Sequence, residues 1–280
     1  MKKEKLNENL IRRFEQYLRR EERSRATIEK YLRDVRFFAS FAGDAELTKE
    51  RILDYKAKLG RAYAVASANS MLAALNCFLR FVGWQALCVK QFKVQREAFC
   101  PKEKELTKAE YLRLIDTAKA RKNERLNLII QTICGTGIRV SELQFVTVEA
   151  VEKGEATVHC KGKIRRIFIV PALRKKLLRY TKERGIYSGA IFVTQRGNPV
   201  SRHSIWKEMK ALCEQARVSP GKVFPHNLRH LFARTFYGIE KDIAKLADIL
   251  GHASINTTRI YVVTTGEEHK RKMESMRLVL

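Results

Sequence analysis

Only one stretch of this 280-residue chain alternates with the two-residue period of a β-strand: "ATVHCKGKIRRIFIV", residues 156–170. Ala156 to Cys160 reads as one strand, Lys161-Gly162-Lys163 as a turn and Ile164 to Val170 as a second strand that Pro171 ends. Apolar residues elsewhere recur at helical spacing. A single hairpin cannot organise a sheet-based domain of this size, so the fold class is mainly α with a small antiparallel β-sheet.

Before the hairpin the pattern gives four helices and no strand. The first covers about 6–21, with Leu6, Leu10, Ile11, Phe14 and Leu18 on one stripe. The second has Ser24 as cap and Gly43 as stop, and the third has Thr48 as cap and Gly60 as stop. "VASANSMLAALNCFLRFVGW" is the fourth. Residues 1–88 therefore form a four-helix N-terminal domain. Residues 89–106 are basic and aperiodic and read as a linker. A second domain, 107–280, opens where Thr107 and Glu110 make a capping box. After the hairpin, helices are expected nearly to the C-terminus.

Hydrophobic residues make up 45% of the chain, enough for a packed core, yet the formal net charge is +26. Residues 1–100 carry +9 and residues 101–280 carry +17. Positive charge spread over two folded regions points to an extended polyanion, with nucleic acid first. On the second helix Arg23, Arg25, Lys30 and Arg33 are candidates for that surface, together with "RAYAVASANS". The cysteines stand at 77, 88, 100, 134, 160 and 213, with no C-x-x-C pair, and read as reduced, buried thiols. "MKKEKLNENLIRRFEQYL" lacks an apolar signal core, and no run is long enough to span a membrane, so the expected location is cytoplasmic.

"FPHNLRHLFARTFY" is the densest cluster of chemistry-bearing residues. On a helix starting at Pro225, His226, Arg229 and His230 share one face; Leu228, Leu231, Phe232 and Thr235 are expected on the opposite, buried one. The i, i+4 histidines have the spacing of a zinc pair. Asn227 stands where a general-base Glu would be needed, however, and Arg229 would repel a dication. The set suits an anion better, since a guanidinium fork matches phosphate oxygens. Arg139 in "GTGIRVSEL" follows a Gly-Thr-Gly turn, with Ser141 and Glu142 placed to start the next helix. No Walker-type phosphate loop occurs, so neither a nucleotide cofactor nor a metal is expected. In "LGHASINTTRIY", His252 lies just past Gly251, Ser254 can cap a short helix, and Tyr261 ends it.

The order of these elements is more specific than any one of them. An Arg in "GTGIRVSEL", a Lys in a β-turn, H-x-x-R in "HNLRH", a His in "LGHAS" and a Tyr nine residues later resemble the tyrosine recombinase (phage integrase) family, in its compact Xer-like and transposon or phage integrase forms. The resemblance is strong over residues 132–262 and weaker over the N-terminal bundle, which looks like the family's core-binding (SAM-like) domain. It implies Tyr261 as nucleophile, Arg139 and Arg229 as phosphate clamp, His226 and His252 as hydrogen-bonding and acid–base partners, and Lys161 as the hairpin lysine, with Lys163 two residues away as the other candidate. His230 would support them. The implied partners are double-stranded DNA carrying specific recombination sites and further copies of the chain in a tetramer. Met273, Met276 and Leu280 form an apolar stripe on a charged tail, which would dock on a neighbouring protomer. Type IB-like topoisomerase activity and a non-catalytic DNA-binding accessory role are the alternatives.

Overall fold

The computed structural model describes residues 7–43, 46–93, 105–160, 163–262 and 273–276. The chain forms two compact units, Met1–Arg96 and Glu97–Leu280.

Unit 1 holds helices α1 (Glu8–Arg20), α2 (Arg25–Ala42), α3 (Lys49–Ala62) and α4 (Val65–Phe81). Asn7, Ser24 and Thr48 cap the first three, each accepting a backbone N–H three residues on. Their apolar stripes meet in a core that includes Phe14, Leu18, Phe38, Tyr55, Leu72 and Phe78. Gly60 does not end α3, as its composition suggested; the helix runs through it to Ala62. Its missing side chain serves packing instead, since a Cβ there would lie 2.9 Å from the Phe92 ring. Two asparagines seven residues apart on α4 hold the chain beyond the bundle. Asn76 bonds both the N–H and the carbonyl of Val89, and Asn69 does the same for Phe92. Of the four cations proposed for a DNA surface, two answer an internal need. Lys30 and Arg33 both pair with buried Asp34.

Unit 2 is built round α6 (Glu124–Thr136), whose Ile129, Ile130 and Ile133 are buried. It packs against α5 (Lys108–Ala120), α8 (Pro171–Arg184) and α11 (Pro225–Glu240). The Thr107–Glu110 capping box opens α5. Short α7 (Val148–Lys153) leads into β1 (Glu155–Cys160), which pairs antiparallel with β2 (Lys163–Phe168) from Glu155↔Phe168 to Cys160↔Lys163. The second strand stops two residues short of Val170. Ile169 instead donates its N–H to the Gly154 carbonyl.

Helices do not resume without a break after the hairpin. Between α8 and α9 (Arg202–Ala211) lies an irregular segment with β-bridges Thr147↔Ala190 and Val193↔Pro199, anchored by buried Ile191 and Phe192. After α10 (Cys213–Ala216) and α11, the short helices α12 (Ile243–Leu250) and α13 (Ile255–Val262) close the unit. Cys213 is buried, whereas Cys77, Cys88 and Cys134 are only partly so; all four are free thiols.

Candidate functional site

Gly137 ends α6 in the left-handed conformation (φ +65°), and a Cβ there would meet the Phe232 ring at 2.5 Å. Only glycine allows both this turn and the close approach of α11. The turn delivers Arg139 to the head of a 3₁₀ turn, Val140–Phe145. There its backbone N–H and its guanidinium each donate to Glu142 at 2.8 Å. Glu142 is only 2% exposed and also pairs with Arg165 of β2. Burial opposes its ionisation, but the Arg139 hydrogen bonds and the charges of Arg165 and Arg139 hold the carboxyl below its ordinary range. Arg165 reaches further, donating to the Ile249 carbonyl at 2.6 Å.

Arg229 is not on a solvated face. It is 1% exposed, while Thr235, expected in the core, is exposed. The reason is that α12, α13 and the turn after α6 close over Arg229, while His226 on the same face stays exposed. The guanidinium donates to the carbonyls of Gly137 and Leu250, the latter at 2.7 Å, and lies 3.0 Å from His252 Nε2. These acceptors are all neutral. Burial first, and then repulsion from Arg139, lower its pKa to about 10, so it stays cationic at neutral pH.

Gly251 ends α12 left-handed (φ +65°), and His252 N bonds back to the Ala247 carbonyl. A Cβ on Gly251 would lie 2.5 Å from Arg165 Cδ, so the same glycine places His252 and admits Arg165. Ser254 Oγ then accepts from Asn256 N at the head of α13. One face of α13 carries Tyr261, 6% exposed, into the space between α11 and α12. Its hydroxyl is 3.3 Å from His226 Nε2. Its ring stacks on His230 (4.2 Å, 25°) and lies 5.2 Å from that of His252.

Arg139, His226, Arg229, His252 and Tyr261 thus converge, through four separate segments of unit 2. Lys161 lies outside the described residues, as do Gly162, Cys100 and Leu280. Met273 and Met276 are exposed.

The chain matches the phage integrase family profile over residues 104–268, and the profile of the family's N-terminal SAM-like domain over residues 11–86. The chain belongs to the phage integrase family. It is 32% identical over 290 residues to tyrosine recombinase XerA of Pyrococcus furiosus, covering 100% of this chain and 98% of that protein. The crystal structure of XerA recombinase superposes with a TM-score of 0.55 at 26% identity, covering 98% of this chain and 99% of that one. A lambda integrase tetramer bound to a Holliday junction gives a TM-score of 0.73 at 18% identity, over 91% of this chain and 76% of that one, a likeness of fold. The mainly α architecture with its SAM-like bundle and two-stranded sheet is the integrase fold. The chain is a site-specific tyrosine recombinase, an enzyme of DNA strand cleavage and rejoining.

Three side chains of this integrase centre escaped sequence reasoning. Glu142 read only as a helix starter, and Thr258, whose Oγ1 lies 2.8 Å from His252 Nδ1, drew no assignment within "LGHASINTTRIY". Arg165 carried a usable signal: in β2 it shares the strand face of Ile167 and Ile169, both buried, and an inward arginine needs a carboxylate.

The integrase histidines make acid a destabilising condition. Burial, then His226 and nearby guanidiniums, lower His230 to about 4; burial, then Arg229, Arg139 and Arg165, do the same to His252. Partial desolvation, and then Arg229, Arg139 and Arg202, lower His226 as well. The unfolded imidazole titrates near 6.5. Between about 6.5 and 4 the unfolded chain therefore binds more protons, and stability falls as pH falls through that window. Thermal midpoints measured across it should decline. His230→Phe, which keeps a ring against Tyr261, should flatten the decline, and an unchanged slope would speak against this origin.

Proposed function

We propose that this recombinase exchanges strands of double-stranded DNA by transesterification at Tyr261. The observation that carries the reading is the Tyr261 hydroxyl, 3.3 Å from a histidine nitrogen and enclosed by His230, His252 and buried Arg229. A free phenol ionises near pH 10, so it needs a base and cationic surroundings to attack at neutral pH. His226 is lowered and neutral, so its Nε2 can accept the phenolic proton.

In this reading Tyr261 Oη forms a bond to the scissile phosphorus, and the bond from phosphorus to the 5′ oxygen breaks. The products are a 3′-phosphotyrosine and a 5′-hydroxyl. Arg139 and Arg229 take the charge on the non-bridging oxygens, and His252 donates a further hydrogen bond. Lys161, assigned by its place in the hairpin, protonates the leaving oxygen. A 5′-hydroxyl from a second duplex reverses the step, so the ester energy is kept and no nucleotide is consumed.

Arg229 supports the clamp role by its energetics. A buried guanidinium on neutral acceptors, repelled by Arg139 and Arg165, gains most from an anion. Strand exchange needs paired active sites. The tetramer on a Holliday junction adopted by lambda integrase is the assembly we infer for this chain, with the Met273–Met276 tail docking on a neighbour.

A duplex carrying the cognate site and a nick beside the cleavage point should trap the covalent complex, because the short 5′-hydroxyl strand diffuses away. The trapped DNA should be attached through its 3′ end and leave a 5′-hydroxyl that a polynucleotide kinase labels. Attachment through a 5′ phosphate would exclude this chemistry.

A further inference from the structure

Thr258, one turn before Tyr261 on α13, is 0% exposed, and its Oγ1 lies 2.8 Å from His252 Nδ1. On the other edge of that ring, His252 Nε2 lies 3.0 Å from an Arg229 nitrogen. A guanidinium has only N–H donors, so Nε2 must offer its lone pair. The proton of the neutral ring therefore sits on Nδ1 and is donated to Thr258 Oγ1. Without DNA, the two groups assigned to the phosphate satisfy each other.

A phosphodiester reverses the requirement. Its non-bridging oxygens only accept. For a His252 ring that stays neutral to donate to one of them, Nε2 must carry the single ring proton and Nδ1 must become an acceptor. The group facing Nδ1 must then donate where it had accepted. A carbonyl or a methyl group cannot do so, whereas a hydroxyl can, by rotating about its C–O bond.

We propose that Thr258 is a positioning residue that serves His252 in both tautomers. It accepts from Nδ1–H when DNA is absent and donates to Nδ1 when Nε2–H faces the scissile phosphate. One proton leaves Nδ1 to water and one arrives at Nε2 from water. The ring stays neutral, and the threonine keeps its hydrogen. This rests on the reading of His252 as a phosphate donor.

Nitrogen-15 NMR of the full chain with labelled histidine tests each half. DNA-free protein should show His252 as the Nδ1–H tautomer. Tyr261→Phe bound to uncleaved site DNA should show Nε2–H. Thr258→Val, nearly isosteric, should slow single-turnover cleavage about tenfold to a hundredfold, the usual cost of removing a partner that orients an imidazole. Thr258→Ser should stay within about threefold of the native rate on the same scale. The proposal is overturned by an Nε2–H tautomer in DNA-free protein, by native cleavage in Thr258→Val, or by equal losses in the Val and Ser variants, which would mark a packing role. His252→Ala separates the two layers. If it cleaves at the native rate, the phosphate-donor reading fails with the DNA-bound half of the proposal, whereas the DNA-free tautomer reports on Thr258 independently of catalysis.

Discussion

Tyr261→Phe is expected to lower single-turnover cleavage of site DNA by at least about 10⁴-fold, the scale on which loss of a covalent nucleophile is felt. The substitution removes one oxygen and little else. The ring keeps its stack on His230 and its place beside Leu246 and Leu250, and what disappears is the hydroxyl's 3.3 Å contact with His226 and its hydrogen bond with the Arg229 guanidinium. The thermal midpoint should therefore stay close to native, and DNA binding should persist. A variant that folds, binds and still cleaves at a tenth of the native rate would assign the nucleophile elsewhere.

Arg229→Lys should have the next largest effect, a loss of about 10²–10³-fold in cleavage, the size associated with removing one preorganised donor to a developing oxyanion. Charge is conserved, so Coulomb attraction alone would predict a small change. Geometry predicts a large one. One planar guanidinium spans the Gly137 carbonyl, the Leu250 carbonyl and His252, and a single ammonium at the end of a flexible stem cannot reach all three. A buried carbonyl left without a donor costs about 1–3 kcal/mol, so the thermal midpoint should fall as well. Cleavage assayed well below that midpoint separates the two effects. Near-native cleavage there would show that Arg229 holds the α6, α11 and α12 segments together without touching the phosphate.

These two expectations rest on residues whose legibility in the sequence differed. Local rules located the helices, because each of the caps Ser24, Thr48 and Thr107 needs only its own neighbours. The hairpin was legible for the same reason. The polar positions were legible as a set, through order along the chain and a family resemblance.

Tertiary facts were not legible. A helical wheel gives the phase of α11 but not how many sides are covered, so it put Thr235 in the core and gave no sign that Arg229, on the opposite face, is buried. Gly60 carried the signature of a stop, yet a distant ring, Phe92, decided its use. The bridged segment between α8 and α9 has too little periodicity to be read, since isolated bridges fix two or three residues at a time. Thr258 was invisible because its meaning depends on a histidine proton.

The most direct measurement is the identity of the residue that carries the DNA. The covalent complex trapped on a nicked site is digested with protease and nuclease, and the modified peptide is sequenced by mass spectrometry. One peptide is expected, from the α13 segment, with the phosphodiester on Tyr261. A nucleotide on any other tyrosine, or on a serine, would contradict it.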